Sequence, residues 1–237
     1  MKAPFQDEFI LTGQKKIPSA KITVVNILPF EYFRALLCTC MNLIQKSLAV
    51  NELFNDLAIE IQQFNEQGRL TCLTGCGRCC ANPNVPATVL EFLPLAFELY
   101  QTGKAEAFLT QLVEAGDERY CVVLQQMSIA GSGGLCGQYA HRGLICRLFG
   151  ASARRNREGK KELITCKLIK EEKKDQYQAV SVAIQDGLHV PASADYYTRL
   201  YAIDFHLAEQ QFPINLAIRK ALEAVFSFYY YIEGEAV

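Results

Sequence analysis

Nine consecutive residues limit what this chain can fold into more than any others: Cys72-Leu-Thr-Gly-Cys76-Gly-Arg-Cys79-Cys80. Four thiols stand there with Gly75 and Gly77 between them, so the backbone is free to turn tightly and converge several sulfurs on one point. Four more cysteines follow. Cys121 and Cys136 flank a Gly-rich turn, Cys146 lies in Gly-Leu-Ile-Cys-Arg-Leu-Phe-Gly, and Cys166 in Ile-Thr-Cys-Lys. Converging thiolates are the usual ligands of zinc or of an iron–sulfur cluster. One tetrahedral zinc takes four ligands, so eight candidates overfill it. Neighbouring side chains diverge on an extended backbone, so Cys79 and Cys80 either serve two centres or divide into a ligand and a packing or reactive thiol. A 4Fe-4S cluster is favoured, since Cys72, Cys76 and Cys79 with one distant cysteine fit its pattern; two zinc ions are the rival.

The redox setting supports metal over disulfides. The chain begins Met-Lys-Ala-Pro-Phe, without the basic and apolar regions of a signal peptide, and no window of about eighteen apolar residues is free of charge. We therefore expect no membrane span and a cytoplasmic protein with reduced thiols, where close spacing argues for metal or catalysis. Arg78, Arg142, Arg147 and Lys167 stand beside the ligand candidates, and cations so placed lower thiol pKa values. Net charge is −1 over 237 residues, so no general field recruits nucleic acid. The basic stretch over 154–161 lacks interleaved aromatics and reads as a solvated loop.

Hydrophobic periodicity predicts a mainly α fold: a helical single domain with one small β-hairpin and a cysteine-rich metal-binding knot. Residues 1–26 show no clear period and form an arm; residues 27–237 form the helical domain, with the metal-binding region at 72–166. A first helix over 30–48 carries Phe33, Leu37, Cys40, Ile44 and Leu48 on one face, and Asn51 caps a second with Phe54, Leu57, Ile61 and Phe64, stopped at Gly68. Two residues apart on a helix point to opposite sides, so Cys38 and Cys40 are no ligand pair; Cys40 packs as a small hydrophobe. Thr88 and Glu91 form a capping box for a helix through Tyr100, kinked near Pro94, and a short helix runs from Lys104 to Gly116. The hairpin spans 119–139 and carries Cys121 and Cys136 on its strands. Two helices close the chain. One bears Tyr196, Leu200, Ile203 and Leu207; the other, with Pro213 at its first position, bears Ile214, Ile218, Leu222, Val225 and Tyr229. The aromatic run over 226–231 reads as buried core.

These thiols carry a resemblance. Cys-x3-Cys-x2-Cys-Cys, then Cys121, Cys136-Gly-Gln-Tyr139, Arg142-Gly-Leu-Ile-Cys146-Arg147-Leu-Phe149 and Cys166 resemble the YkgJ-type cysteine-cluster family, a zinc- or iron-chelating group. Gly143 stands where that family usually has proline. The resemblance implies all eight of these cysteines as candidate ligands. Its flagellin lysine methylase branch implies an alternative, transfer of methyl groups from S-adenosylmethionine to protein lysines, although no separate nucleotide fingerprint stands in the chain. We expect a metal-dependent structural, assembly or redox module, with another protein as its partner. The radical S-adenosylmethionine spacing also occurs, but Arg78 replaces the usual aromatic before the third cysteine and no strand–helix alternation follows. Of the three histidines, His141, His189 and His206, His141 lies near the thiols, where it could ligate or move protons; a surface role is preferred, and His206 receives none.

Overall fold

The computed structural model describes residues 41–116, 120–127 and 133–234. The expected arm, the expected helix before residue 41, and Cys38 and Cys40 lie outside the described residues. Helix α1 runs over Leu43–Gly68. Asn42 caps it: its side chain accepts from the Gln45 amide at 2.9 Å, and Gln45 accepts in return from the Asn42 amide at 2.9 Å. The break expected at Asn51 does not occur. An asparagine in mid-helix costs under about 1 kcal/mol of propensity, and the continuous buried stripe of Val50, Leu53, Phe54, Leu57 and Phe64 outweighs it. That stripe sets the phase of the whole helix, so Ile44 and Leu48, expected inside, face outward while Ser47 turns in. The helix stops at Arg69, whose φ of 51° is left-handed and whose amide returns to Asn65 O at 3.0 Å. Gly68 is there for space instead: a Cβ would sit 2.8 Å from Val180.

Strand β1 (Pro86–Thr88) leads through a 3-10 turn (Leu90–Phe92) into α2 (Leu93–Gln101), then α3 (Ala105–Ala115) ends at Gly116. The Thr88–Glu91 capping box forms as expected, but Pro94 lies in the first turn of α2, where no amide is needed, and so no kink arises. The hairpin pairs β2 (Leu124–Gln126) with β3 (Gly134–Cys136), opposing Leu124 to Cys136. Cys121 precedes β2 rather than lying on it. After a 3-10 turn (Tyr139–His141) and α4 (Leu144–Leu148), a second hairpin pairs β4 (Ala153–Arg155) with β5 (Lys161–Leu163), so the basic stretch read as a loop is a hairpin turn with its two ends on strands. Two helices follow that the sequence reading did not anticipate, α5 (Lys167–Glu172) and α6 (Lys174–Gln185).

The closing segment comprises α7 (Ser193–Ile203), the single turn α8 (Phe205–Ala208), β6 (Gln211–Pro213) and α9 (Ile214–Gly234). Leu207 thus belongs to a separate turn, and Pro213 ends a strand that pairs antiparallel with β1, Pro86 opposite Pro213. In the aromatic run, Phe226, Phe228 and Tyr229 pack against the core, whereas Tyr230 and Tyr231 face outward at 75% and 70% exposure. One helix cannot bury six consecutive residues on one face.

Two apolar cores result. In the larger, α2 (Leu93, Leu95, Leu99) packs against α9 (Ile218, Leu222, Val225) on one side and against α1, whose first half is buried there, on the other. The smaller joins Phe64 and Leu70 to Ala153, Leu163, Ile169, Val180 and Ile184. The cysteine loop follows α1 at the place where it passes from one core to the other. No described helix is long and apolar enough to cross a membrane.

Candidate metal centre

The loop over 72–82 is a run of tight turns. Gly75 and Gly77 hold φ of 69° and 59°, and the Cys80 amide returns to Gly77 O at 3.0 Å. This loop is seated backbone to backbone on the hairpin. The Gly134 amide donates to Gly75 O at 2.9 Å, the Cys121 amide donates to Cys80 O at 2.9 Å, and a Cβ at Gly77 would stand 2.9 Å from Gly134 N. On its other flank, Lys173 Nζ donates to Thr71 O at 2.8 Å, tying the start of the loop to the helical segment that opens beside Cys166.

Cys146 is positioned by a different device. Buried Glu91, besides completing its capping box, accepts the Ile145 amide on Oε2 at 2.8 Å and so holds the first turn of α4. Arg147 folds back to donate to Arg142 O at 2.8 Å and to Ala140 O, and its guanidinium lies over the Phe54 ring of α1. Gly143, the departure from the family's proline, has φ −62°, which proline would tolerate. Space explains the glycine: a Cβ there would lie 2.7 Å from the Phe92 ring and 2.9 Å from Glu91 Oε2. The turn's rigidity comes from Arg147 and Glu91.

All eight expected cysteines are free thiols, and each lies within electrostatic reach of others in the set. Cys72 senses Cys76, Cys79 and Cys166; Cys80 senses Cys121 and Cys146; Cys146 senses Cys136. Cys79 and Cys80 approach to 4.0 Å between sulfurs. Among the described residues, no three His, Cys, Asp or Glu side chains already converge closely enough to hold a metal ion. The thiols are gathered by the fold, not preassembled.

Burial pushes most of these thiols up: Cys121 to about 11, and Cys72, Cys136 and Cys146 in the same direction. Cys79 runs the other way. A hydrogen bond from Cys80 brings it down to about 6 and correspondingly raises Cys80. Of the four expected cations, Arg142 favours the thiolates of Cys79, Cys136 and Cys146, and stacks 3.7 Å over the Tyr139 ring. Lys167 instead pairs with Glu171 at 3.4 Å on the surface, Arg78 is exposed, and Arg147 spends its donors on carbonyls. His189 bonds Glu60 at 3.0 Å, while His206 is exposed near Glu209; neither faces the thiols. His141 Nδ1 is buried with no hydrogen-bond partner.

Sequence reasoning missed Glu91 as the residue that holds α4. The capping-box pattern pointed to its Oε1, but its second oxygen reaches a segment fifty-four positions away, which no local pattern records. It also missed a cleft of about 460 Å3 between α1 (Leu57, Ile61, Gln62, Asn65) and Tyr139, Arg142 and Arg147.

Residues 71–179, somewhat under half of the chain, match the family described as CxxCxxCC, "putative zinc- or iron-chelating domain". Over that segment the chain is similar to the CxxCxxCC family. All eight clustered thiols lie within it, as do both hairpins and α2, whereas α1, α7 and α9 lie wholly outside. Searches of curated proteins and of solved structures each found no match. The donor chemistry fits the description. Thiols are the common donor type at the centre, Arg142 balances thiolate charge, and the Glu91 carboxylate near Cys146 is occupied with amides.

Proposed function

We propose that the CxxCxxCC domain is a thiolate metal centre, holding iron–sulfur or zinc, that closes four chain segments into one body and serves a structural, assembly or redox role. The observation that carries this reading is the gathering of eight thiols from a loop, a hairpin and two helix starts into one web around Cys79. Burial raises most of these thiols, so a metal must displace their protons in order to bind, and metal affinity should increase with pH. When bound, the metal would supply either cross-linking alone or electron transfer.

Anaerobic purification followed by metal and acid-labile sulfide analysis tests it. Broad absorption near about 400 nm with sulfide identifies iron–sulfur, and colourless protein with stoichiometric zinc identifies zinc. Protein that folds fully without either metal and takes up neither would refute it. The cleft beside Arg142 supports a second reading, an enzyme using S-adenosylmethionine on protein lysines. Its volume falls in the range of small-molecule sites and its cationic wall suits a carboxylate. Calorimetry with S-adenosylmethionine separates the two: heat that disappears when the metal is removed favours the enzyme, and no heat favours the module.

A further inference from the structure

The eight thiols do not share one environment. Cys121 is buried in the larger core, and Cys80, Cys136 and Cys146 pack against that core. Cys166 packs against the smaller core, whereas Cys72 and Cys79 are exposed and belong to neither. The hydrogen bonds divide along the same line. The Cys121 amide is bonded to Cys80 O, and Glu91 of the larger core holds the helix of Cys146. Thr71, next to Cys72, is bonded to Lys173 on the Cys166 side. Proximity follows the same line except at Cys79: Cys72 senses Cys76, Cys79 and Cys166, and Cys146 senses Cys121 and Cys136, while Cys79 lies between the groups, in reach of Cys121 and Cys136 as well.

We propose that the domain holds two four-thiolate centres: an inner one from Cys80, Cys121, Cys136 and Cys146, and an outer one from Cys72, Cys76, Cys79 and Cys166. This deepens the metal-centre reading and rests on it. The adjacency of Cys79 and Cys80 is the dividing point, one thiol exposed and its neighbour set against the core. Each set of four completes a tetrahedral ion or one polynuclear cluster, which resolves the surplus that a single zinc leaves. Arg142 serves both sets, acting on Cys136 and Cys146 of the inner and on Cys79 of the outer, and offsets part of the negative charge that four thiolates leave on a divalent ion.

The test is cobalt titration of the reduced, metal-free full chain, with bound metal counted and the thiolate-to-cobalt charge-transfer band recorded. Two equivalents with four-thiolate spectra are expected. Cys72→Ser, Cys79→Ser and Cys166→Ser should each lose one equivalent and about half the band, and so should Cys80→Ser and Cys146→Ser. Cys72→Ser with Cys79→Ser should lose no more than either alone, whereas Cys72→Ser with Cys146→Ser should lose both. A single equivalent abolished by variants of both groups overturns the two-centre proposal while leaving the metal-centre reading intact. So does a Cys79→Ser that combines with Cys146→Ser without further loss, because Cys79 would then belong to the inner set. No uptake by the wild-type chain refutes both. Cys72 is exposed, so its variant keeps the division testable if an inner variant fails to fold.

Discussion

The Glu91 carboxylate accepts the Ile145 amide at 2.8 Å with its own side chain fully buried, so the start of the Cys146 helix is held by a group that prefers to be neutral. Burial raises Glu91 from 4.5 to about 7 in spite of the amides that favour its charged form. Below pH 4.5 the group is protonated folded and unfolded. Between 4.5 and about 7 the unfolded chain has released its proton while the folded chain keeps it, so stability falls as pH rises and levels off above about 7. The whole loss is about 3 kcal/mol. Glu91→Gln should remove this pH dependence, and denaturant melts of both proteins across pH 4.5 to 8 would show it as a changing difference. Parallel curves would mean that the carboxyl is not neutralised by burial.

Gly75 and Gly77 should respond differently to alanine. Both have left-handed φ, which costs a side chain about 1–2 kcal/mol. At Gly75 nothing lies within 4 Å of a new Cβ, but at Gly77 the Gly134 backbone is 2.9 Å away. Gly77→Ala should therefore unseat the loop from the hairpin and weaken metal uptake well beyond Gly75→Ala. Cobalt titration of the two variants compares them directly.

In the metal-free protein Cys79 should be the first thiol to react. The hydrogen bond it shares with Cys80 and the charge of Arg142 favour its thiolate, whereas burial favours the protonated form of Cys121. Alkylation at Cys79, read by peptide mass spectrometry, should rise with pH about a midpoint near 6. Removing the donor in Cys80→Ala should move that midpoint up toward the ordinary thiol value. Uniform labelling of all eight cysteines at pH 7 would contradict the assignment.

Asn215 on α9 accepts from the Val122 amide at 3.0 Å and donates to Tyr120 O at 3.2 Å, which fixes the segment bearing Cys121. Asn215→Ala strands these backbone groups and should cost about 1–3 kcal/mol. Hydrogen exchange should speed at 120–124 and remain slow through α2. Unchanged exchange at 120–124 would show that Cys121 is held by burial alone.

What the sequence revealed was local. The thiol cluster, the Thr88–Glu91 box and the halt at Gly116 each depend on residues a few positions apart, and each was legible. Asn51 misled because a capping residue looks the same whether it starts a helix or is carried inside one by a stripe on both sides. The hairpin over 153–163 was hidden because exposed Arg154 and Arg155 and half-buried Lys161 give no alternating pattern. Pairing of β1 with β6 joins Pro86 to Pro213, across more sequence than any periodicity spans. At the site, the ligand types could be read directly, but the split between two cores could not, because it depends on where Phe64 and Leu57 of one helix are buried.

That helix has a consequence for synthesis. Phe64 and Gly68 close α1 against Val180 and its neighbours, more than a hundred residues later in the chain. At about 5–20 residues per second, the ribosome leaves the end of α1 bare for several seconds or more, with the four thiols of the loop already translated beside it. Cys166 is translated shortly before the residues that cover that helix end. The order of translation therefore places the loop's thiols first, the inner partners next, and the last outer ligand almost together with the wall against which it rests.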